Sequence, residues 1–159
     1  MASIKRPTQN KWMSGFVYMS ADQTANLSAP NHLEFDSASG DFVVSTGAGQ
    51  ANGLITLPGG HKYRINCVYI VKATTGNFTT LNVEFYDTTN AASLVASQAI
   101  KAANQSTNHT TTFSVQQFAF AEFYVTDTIQ LEVQITGGGT NIDYVSADFT
   151  AVIIQEIPK

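Results

Sequence analysis

The sequence is poor in cysteine and has no long apolar run. A single cysteine, Cys67, excludes an intramolecular disulfide framework and every zinc pattern built on paired cysteines. No apolar run reaches the roughly 18–20 residues of a membrane-spanning helix, and residues 1–10 are polar where a signal peptide would be apolar. We therefore predict a protein without a membrane segment that holds its core by packing alone.

Charge and catalytic motifs are also scarce. Only 13% of residues are charged and the net charge is −4, so the clustered Lys and Arg of a nucleic-acid surface are missing. His32, His61 and His109 do not form the His-x-His pair of a metal-binding cupin enzyme. Neither a Gly-x-Ser-x-Gly elbow nor a Gly-Lys-Ser/Thr phosphate loop occurs. These absences predict a protein that is not an enzyme and holds no metal or cofactor.

Neutral polar residues are abundant instead, with 12 Ser, 19 Thr and 11 Asn. Thr favours pleated surfaces, Ser and Asn favour turns, and segments such as 129–135 alternate strictly between apolar and polar residues. Asn52-Gly53 has the composition of a turn, and we interpret 91–103 as irregular strand and loop rather than helix. The pattern predicts an all-β jelly-roll sandwich of about 8–10 antiparallel strands. The predicted strands are 14–20, 32–36, 41–46, 53–57, 62–72, 79–86, 111–125, 128–136 and 142–156.

The chain divides into a short arm and one domain. Residues 1–13 contain three basic residues and no acidic one, whereas 14–159 contain five basic and twelve acidic residues. A solvated tail and an arm that docks on an acidic partner are both consistent with this composition. The length of 14–159 fits a single domain.

Several strands are apolar on both faces. In 63–71 the odd-numbered residues form the expected core face. The opposite face begins polar at Lys62 and Arg64 and becomes apolar at Val68 and Ile70. Such a strand cannot show its second face to water without exposing apolar surface.

Two later segments depart from simple alternation. The aromatic residues of 113–124 change phase, and a bulge near Gln116-Gln117 would explain the change. In the closing strand we expect the odd-numbered residues 145–153 to form the core face. Val152 and Ile154 then make the end of that strand apolar on its outer face.

An apolar outer face of this kind needs a cover. It forms a patch on the order of several hundred Å², and covering it contributes on the order of 10 kcal/mol before the costs of association. We predict that identical copies provide the cover; loops folded over the face, or a different strand phase, are the alternatives. The predicted interface residues are Phe16, Tyr18, Val68, Ile70, Phe118, Phe120, Tyr124, Val152 and Ile154.

Three stretches carry a family pattern. They are GLITLPGGHKYRI at 53–65, VSADFTAVII at 145–154, and SGFVYMSA at 14–21 followed by LEFD at 33–36. They resemble the strand–turn–strand motif, the closing strand and the opening pair of the jelly-roll family of C1q and tumour necrosis factor, in particular its phage and viral versions. Leu54-Ile55 replaces the family's usual Phe region, and Thr150-Ala151 stands where it prefers Ser-Gly.

The resemblance implies two five-stranded sheets and a compact homotrimer. In that family the sheet that makes the trimer contacts contains the opening, third, sixth and last strands. In this sequence those strands correspond to 16–19, 63–71, 113–124 and 144–154, the segments that are apolar on both faces.

The predicted function is that of a virion structural protein, made in the host cytoplasm. A homotrimer would decorate or cement the outside of a phage capsid, with the arm docking on the major capsid protein. The alternative is the receptor-binding tip of a tail fibre or spike, in which polar loops containing Asn77-Phe78 or residues 104–112 bind host-surface glycans. The predicted capsid-docking residues are Lys5, Arg6, Lys11 and Trp12.

Overall fold

The structure is a computed structural model that describes residues 12–23, 31–46, 52–73, 76–78, 80–100, 105–109, 113–138 and 144–158. Every regular element in these ranges is a β-strand, as predicted. The strands are β1 (Ser14–Tyr18), β2 (Asn31–His32), β3 (Ser37–Gly40), β4 (Val43–Thr46), β5 (Asn52–Leu57), β6 (His61–Ala73), β7 (Gly76–Phe78), β8 (Thr80–Asp87), β9 (Ala92–Ile100), β10 (Gln105–His109), β11 (Phe113–Val125), β12 (Ile129–Gly138) and β13 (Tyr144–Ile157).

The strands form two antiparallel sheets. One, which we name the front sheet, has the order β11-β6-β13-β1-β3. The other, the back sheet, has the order β4-β5-β12-β8-β9, and the short β2 also pairs with β12. A separate two-stranded ribbon joins β7 to β10. The four segments that the resemblance assigned to one sheet do lie together in the front sheet.

The core lies between the two sheets. The odd-numbered residues of β6 from Tyr63 to Tyr69 are fully buried, as the alternation predicted. The back sheet contributes Leu131 and Val133, which are also fully buried. Because successive strand residues point to opposite faces, each strand supplies one set of side chains to this core and shows the other set outside.

The predicted phase of the closing strand is wrong at its end. Val152 and Ile154 are fully buried in the core, whereas Ile153 is 45% exposed. The pairing of β13 with β6 shifts register between Ser146 and Ala151, which adds three residues on the β13 side. An odd insertion exchanges the two faces of a strand, so the even-numbered residues point inward after the bulge.

The predicted bulge in 113–124 is also wrong. β11 pairs with β6 without interruption from Phe113 to Val125, and no register shift occurs at Gln116 or Gln117. Ala119 and Ala121 face the core while the aromatic Phe118 and Phe120 face outward. The aromatic residues therefore change phase in the sequence because the large side chains move from one face of the strand to the other. The pairing of the strand does not change.

Two other predictions are settled by the strand boundaries. The segment 91–103, interpreted as strand and loop, contains β9 over Ala92–Ile100. Asn52-Gly53 is not a hairpin turn, because both residues lie in β5. Gly53 has a φ of +78°, and a side chain there would place its Cβ 2.5 Å from the carbonyl oxygen of Leu33. This glycine allows the chain leading out of β2 to pack closely against β5.

Candidate assembly surface

The outer face of the front sheet carries its side chains in rows. Directly paired residues of neighbouring strands point to the same face, so the register of β11, β6, β13 and β1 determines which outward side chains lie beside each other. We name two of these rows the apolar rows. The first consists of Phe118, Val68, Ala151 and Tyr18, and the second of Phe120, Asn66, Ile153 and Phe16.

The apolar rows are open to solvent. Phe118 is 62% exposed, and Phe16, Phe120 and Ile153 are each 44–45% exposed. The rings of Phe16 and Tyr18 lie 5.6 Å apart, so they form one aromatic surface. Between β1 and β13 this surface contains a shallow depression of about 440 Å³. The face thus combines projecting rings with an apolar hollow.

Charge replaces the apolar groups in the next row. Glu122, Arg64 and Gln155 are aligned across β11, β6 and β13, and we name them the charged row. Nη2 and Nε of Arg64 lie 2.7 and 2.8 Å from Oε1 of Glu122. Nζ of Lys62 lies 3.4 Å from Oε2 of the same carboxylate. The hydrogen bond from Arg64, aided by Lys62, lowers the pKa of Glu122.

Arg64 connects the charged row to the second apolar row, because its guanidinium carbon lies 6.0 Å from the centre of the Phe120 ring. Beyond the charged row, Tyr124 is aligned with Lys62 and is 46% exposed. Along β6 the face therefore changes from charged at Lys62 and Arg64 to apolar at Val68, the gradient expected from the sequence.

Seven of the nine predicted interface residues lie on this face. Val152 and Ile154 do not, since the bulge in β13 turns them into the core. The sequence reasoning missed Ile153, which takes their place, and Glu122, whose position opposite Arg64 appears only once the strands are paired. Contact of the face with another copy stays a prediction. The seven residues are Phe16, Tyr18, Val68, Ile70, Phe118, Phe120 and Tyr124.

The start of the described chain is anchored beside this face. Oε2 of Glu156 accepts a hydrogen bond of 3.0 Å from the backbone N–H of Met13, and the backbone N–H of Glu156 donates one of 2.8 Å to the carbonyl of Met13. Nδ1 of His61 lies 2.6 Å from Oε1 of Glu156. The bond from Met13 and then the contact with His61 lower the pKa of Glu156 against the opposing effect of burial.

Of the predicted docking arm, only Trp12 belongs to the described residues, and it is 50% exposed. It lines a shallow depression of about 300 Å³ together with Met13 and Pro158. Lys5, Arg6 and Lys11 lie outside the described residues.

The outer face of the back sheet is polar along β12. Nε2 of Gln130 donates to Oγ1 of Thr56 at 3.0 Å, and Nε2 of Gln134 donates to Oε2 of Glu132 at 3.1 Å. The buried His32 places its Nδ1 3.4 Å from Oε1 of Glu132. The outward positions of β12 are thus occupied by hydrogen-bonded polar groups, whereas Tyr86 of β8 and the 65% exposed Val43 of β4 lie on the same face of the sheet.

Two ionisable groups, the Cys67 thiol and the Tyr63 phenol, lie in the core. Burial raises the pKa of the Cys67 thiol to about 12, and burial followed by the neighbouring Glu156 carboxylate raises the pKa of Tyr63 to about 12. The hydroxyl of Tyr63 donates to the carbonyl of Pro58 at 2.9 Å. Both groups stay protonated at neutral pH and serve packing.

Within the described residues, no group of three or more His, Cys, Asp and Glu side chains is placed to hold a metal ion. In the same ranges no helix has the length and apolar character needed to cross a membrane.

The arrangement of sheets is that of a tumour necrosis factor-like jelly roll. The structure is similar to that of the Eiger TNF from S. frugiperda, with a TM-score of 0.60 over 93% of this chain and 94% of that chain. Sequence identity over the match is 10%, so the likeness establishes the fold and nothing finer. The neighbour has a cytokine-type fold, which is compatible with a protein that is not an enzyme. No protein-family model and no curated protein matches the chain, and none of these comparisons supports the phage or viral branch.

Proposed function

We propose that this protein is a non-enzymatic homotrimer whose copies pack through the outer face of the front sheet. The observation that carries the proposal is where its exposed apolar groups lie. The described residues include eight large hydrophobic side chains that are exposed, and six of them lie on this one face. The six are Phe16, Tyr18, Phe118, Phe120, Tyr124 and Ile153.

The size of this patch supports a stable interface. At roughly half exposure, six such side chains leave on the order of 500 Å² of apolar surface in water, near the upper end for soluble monomers, about 300–600 Å². With the half-buried Val68 and Ile70 and the polar rim, the face approaches the roughly 800 Å² per partner of a standard interface. Covering 500 Å² contributes about 12 kcal/mol before the costs of association.

The layout of the face allows one copy to fit against another. The most exposed ring, that of Phe118, projects from β11 at one edge of the sheet, whereas the depression lies between β1 and β13 toward the other edge. A projection and a hollow on one face can fit those of a neighbouring copy, in a two-fold dimer as well as in a closed ring. The resemblance to the family of C1q and tumour necrosis factor supports three as the number of copies.

The mass of the protein in solution tests this proposal. We expect the wild type to elute and scatter light as a trimer of the 17.1 kDa chain. Phe118→Ser combined with Phe120→Ser should give a folded monomer. The matched control is Val43→Ser, which removes a 65% exposed apolar side chain from β4 of the back sheet and should leave the trimer unchanged. A monomeric wild type contradicts the proposal.

As the role of the trimer we propose decoration of the outside of a virus capsid. Support comes from the resemblance of 53–65 and 145–154 to phage and viral members of the family, and from the basic arm on an otherwise acidic chain. The anchor of Met13 on Glu156 holds the point where the arm leaves the domain. Lys5, Arg6 and Lys11 would then meet acidic groups of the major capsid protein.

This role is tested with capsids assembled from the major capsid protein encoded nearest this chain in its genome. The full chain should co-sediment with the capsids. A chain lacking residues 1–11 should remain trimeric but stay in the supernatant. Equal binding of the two chains would contradict the role of the arm, and absence of capsid genes from the neighbourhood would contradict the role as a whole.

One observation favours the alternative, a glycan-binding receptor tip. The two segments proposed to hold glycans come together, because β7, which contains Asn77-Phe78, pairs with β10, which lies within 104–112. A glycan array probed with the trimer tests this alternative. Binding that is lost on replacing Asn77-Phe78 by Gly-Gly would support it, and a silent array would favour decoration.

A further inference from the structure

The charged row lies within the face that the proposed interface covers. Side-chain exposure is 45% for Arg64, 35% for Lys62 and 29% for Glu122, so all three groups are accessible in the single chain. The row lies directly beside the second apolar row and is followed by the exposed Tyr124. A partner that covers Phe120 and Tyr124 therefore also covers the charges between them.

Within one copy, two positive charges lie beside a single negative charge. Lys62 and Arg64 share a single carboxylate, and Arg64 makes the two shorter contacts with it. The ammonium group of Lys62, which lies 3.4 Å from Glu122 and has three donors, retains capacity for a further acceptor. Charges that are removed from water without partners are strongly unfavourable. The covering surface must therefore supply a hydrogen-bond acceptor opposite Lys62.

We infer that the charged row sets the register between copies, with Lys62 and Arg64 of one copy pairing with Glu122 of the next. This inference rests on the proposed function. Copies that stand side by side with their strands in the same direction place charged row beside charged row and apolar rows beside apolar rows. A slip by one row, roughly 6.8 Å along a strand, sets the charges against the row that contains Phe16 and Phe120. Assemblies in other registers are thereby disfavoured.

Complementary charge variants test the inference. Glu122→Arg leaves three cations at positions 62, 64 and 122, and Lys62→Glu combined with Arg64→Glu leaves three carboxylates at the same positions. Each variant alone should dissociate at a concentration at least tenfold higher than the wild type. Mixed in equal amounts, with one variant carrying a mass tag, they should form mixed trimers in native mass spectrometry. A role confined to pairing within one copy predicts no such preference for mixed trimers.

Two further variants separate assembly from folding. Glu122→Gln removes the charge with little change in shape and should weaken the trimer without lowering the thermal stability of the dissociated chain. Glu84→Arg reverses a charge on a half-buried position of the back sheet and should leave assembly unchanged.

The outcomes are distinguishable. Glu122→Arg trimers as stable as the wild type, with no preference for mixed trimers, would overturn the inference and leave the proposed trimer standing. A monomeric wild type would overturn the proposed function and the inference together.

Discussion

The outer faces of the two sheets are built on the same alternation but carry opposite chemistry. β12 of the back sheet buries Leu131 and Val133 and shows Gln130, Glu132 and Gln134 outside. This is the usual distribution for a sheet with one face in water. β11 of the front sheet inverts it over residues 118–121, because Phe118 and Phe120 point outward and Ala119 and Ala121 point toward the core.

The inversion in β11 places small residues in the core and large ones outside. Ala119 and Ala121 are 3% and 2% exposed, so β11 contributes little volume to the core at these positions. Phe118 and Phe120 alternate with these alanines and lie on the other face. They contribute nothing to that core, and they lower the solubility of the protein as long as they face water. Packing of these rings against another copy is what we propose; the polar network along β12 of the back sheet requires no such cover.

The largest effect is expected from two neighbouring residues on opposite faces of β13. Val152→Asp places a carboxylate in the core and should cost more than about 4 kcal/mol, enough to unfold a marginally stable domain. Ile153→Asp should leave the chain folded and reduce the trimer to monomers, because Ile153 lies on the outer face. Circular dichroism melts and light scattering check both variants. An unfolded Ile153→Asp chain would show that the assigned phase of β13 is wrong.

A smaller effect is expected in the turn after β8, a strand of the back sheet. The carboxylate of Asp87 is buried and accepts hydrogen bonds from the backbone of Thr89 at 2.9 Å and from the backbone and side chain of Asn90 at 3.2 and 2.7 Å. Asp87→Ala should lower the free energy of unfolding by about 1–3 kcal/mol, measured by urea denaturation. The trimer mass should not change. Asp127→Ala, at an exposed position, is the control and should be nearly neutral.

Acid should weaken the anchor of the arm. The pKa of Glu156 is lowered in the folded chain, so its contribution to stability is present above the ordinary glutamate pKa of about 4.3 and is lost as the pH falls through the lowered value. Between pH 6 and pH 3 the wild type should lose more stability than Glu156→Gln. Thermal melts of both proteins measure the difference in their loss of stability. The contributions of the other carboxylates are the same in both proteins and cancel in this difference. Parallel pH profiles would contradict the assignment.

The smallest effect is expected on the polar outer face of the back sheet. Thr56→Ala removes one partly buried hydrogen bond to Gln130 and should cost about 0.5–1 kcal/mol, with no change in oligomer mass. If a variant at this position dissociated the trimer, the two outer faces would not differ in function as we propose.

Much of this architecture could be predicted from the sequence. The alternation in 63–71 identified the buried residues of β6, and the absence of βαβ patterning identified an all-β sandwich. The gradient from Lys62 to Val68 along one face of β6 was visible because a strand places every second residue on the same side. These features depend on residues within one short segment.

The errors arose where pairing between distant segments decides the result. The three additional residues of β13 between Ser146 and Ala151 reverse the phase of Val152 and Ile154, and nothing in 145–154 itself signals that reversal. The uninterrupted pairing of β11 with β6 likewise contradicts a bulge that the sequence favoured. In both cases the hydrogen-bonded partner strand determines the register.

The amino-acid sequence by itself determined that this chain is a β-protein and which segments carry apolar residues in both phases. Those properties follow from composition and from the two-residue period of a strand. Only the tertiary structure decided that Phe16, Phe118 and Ile153 meet on one surface and that Glu122 lies against Arg64. The reason is that rows across a sheet are made by hydrogen bonds between strands far apart in the chain, whose register no local pattern specifies.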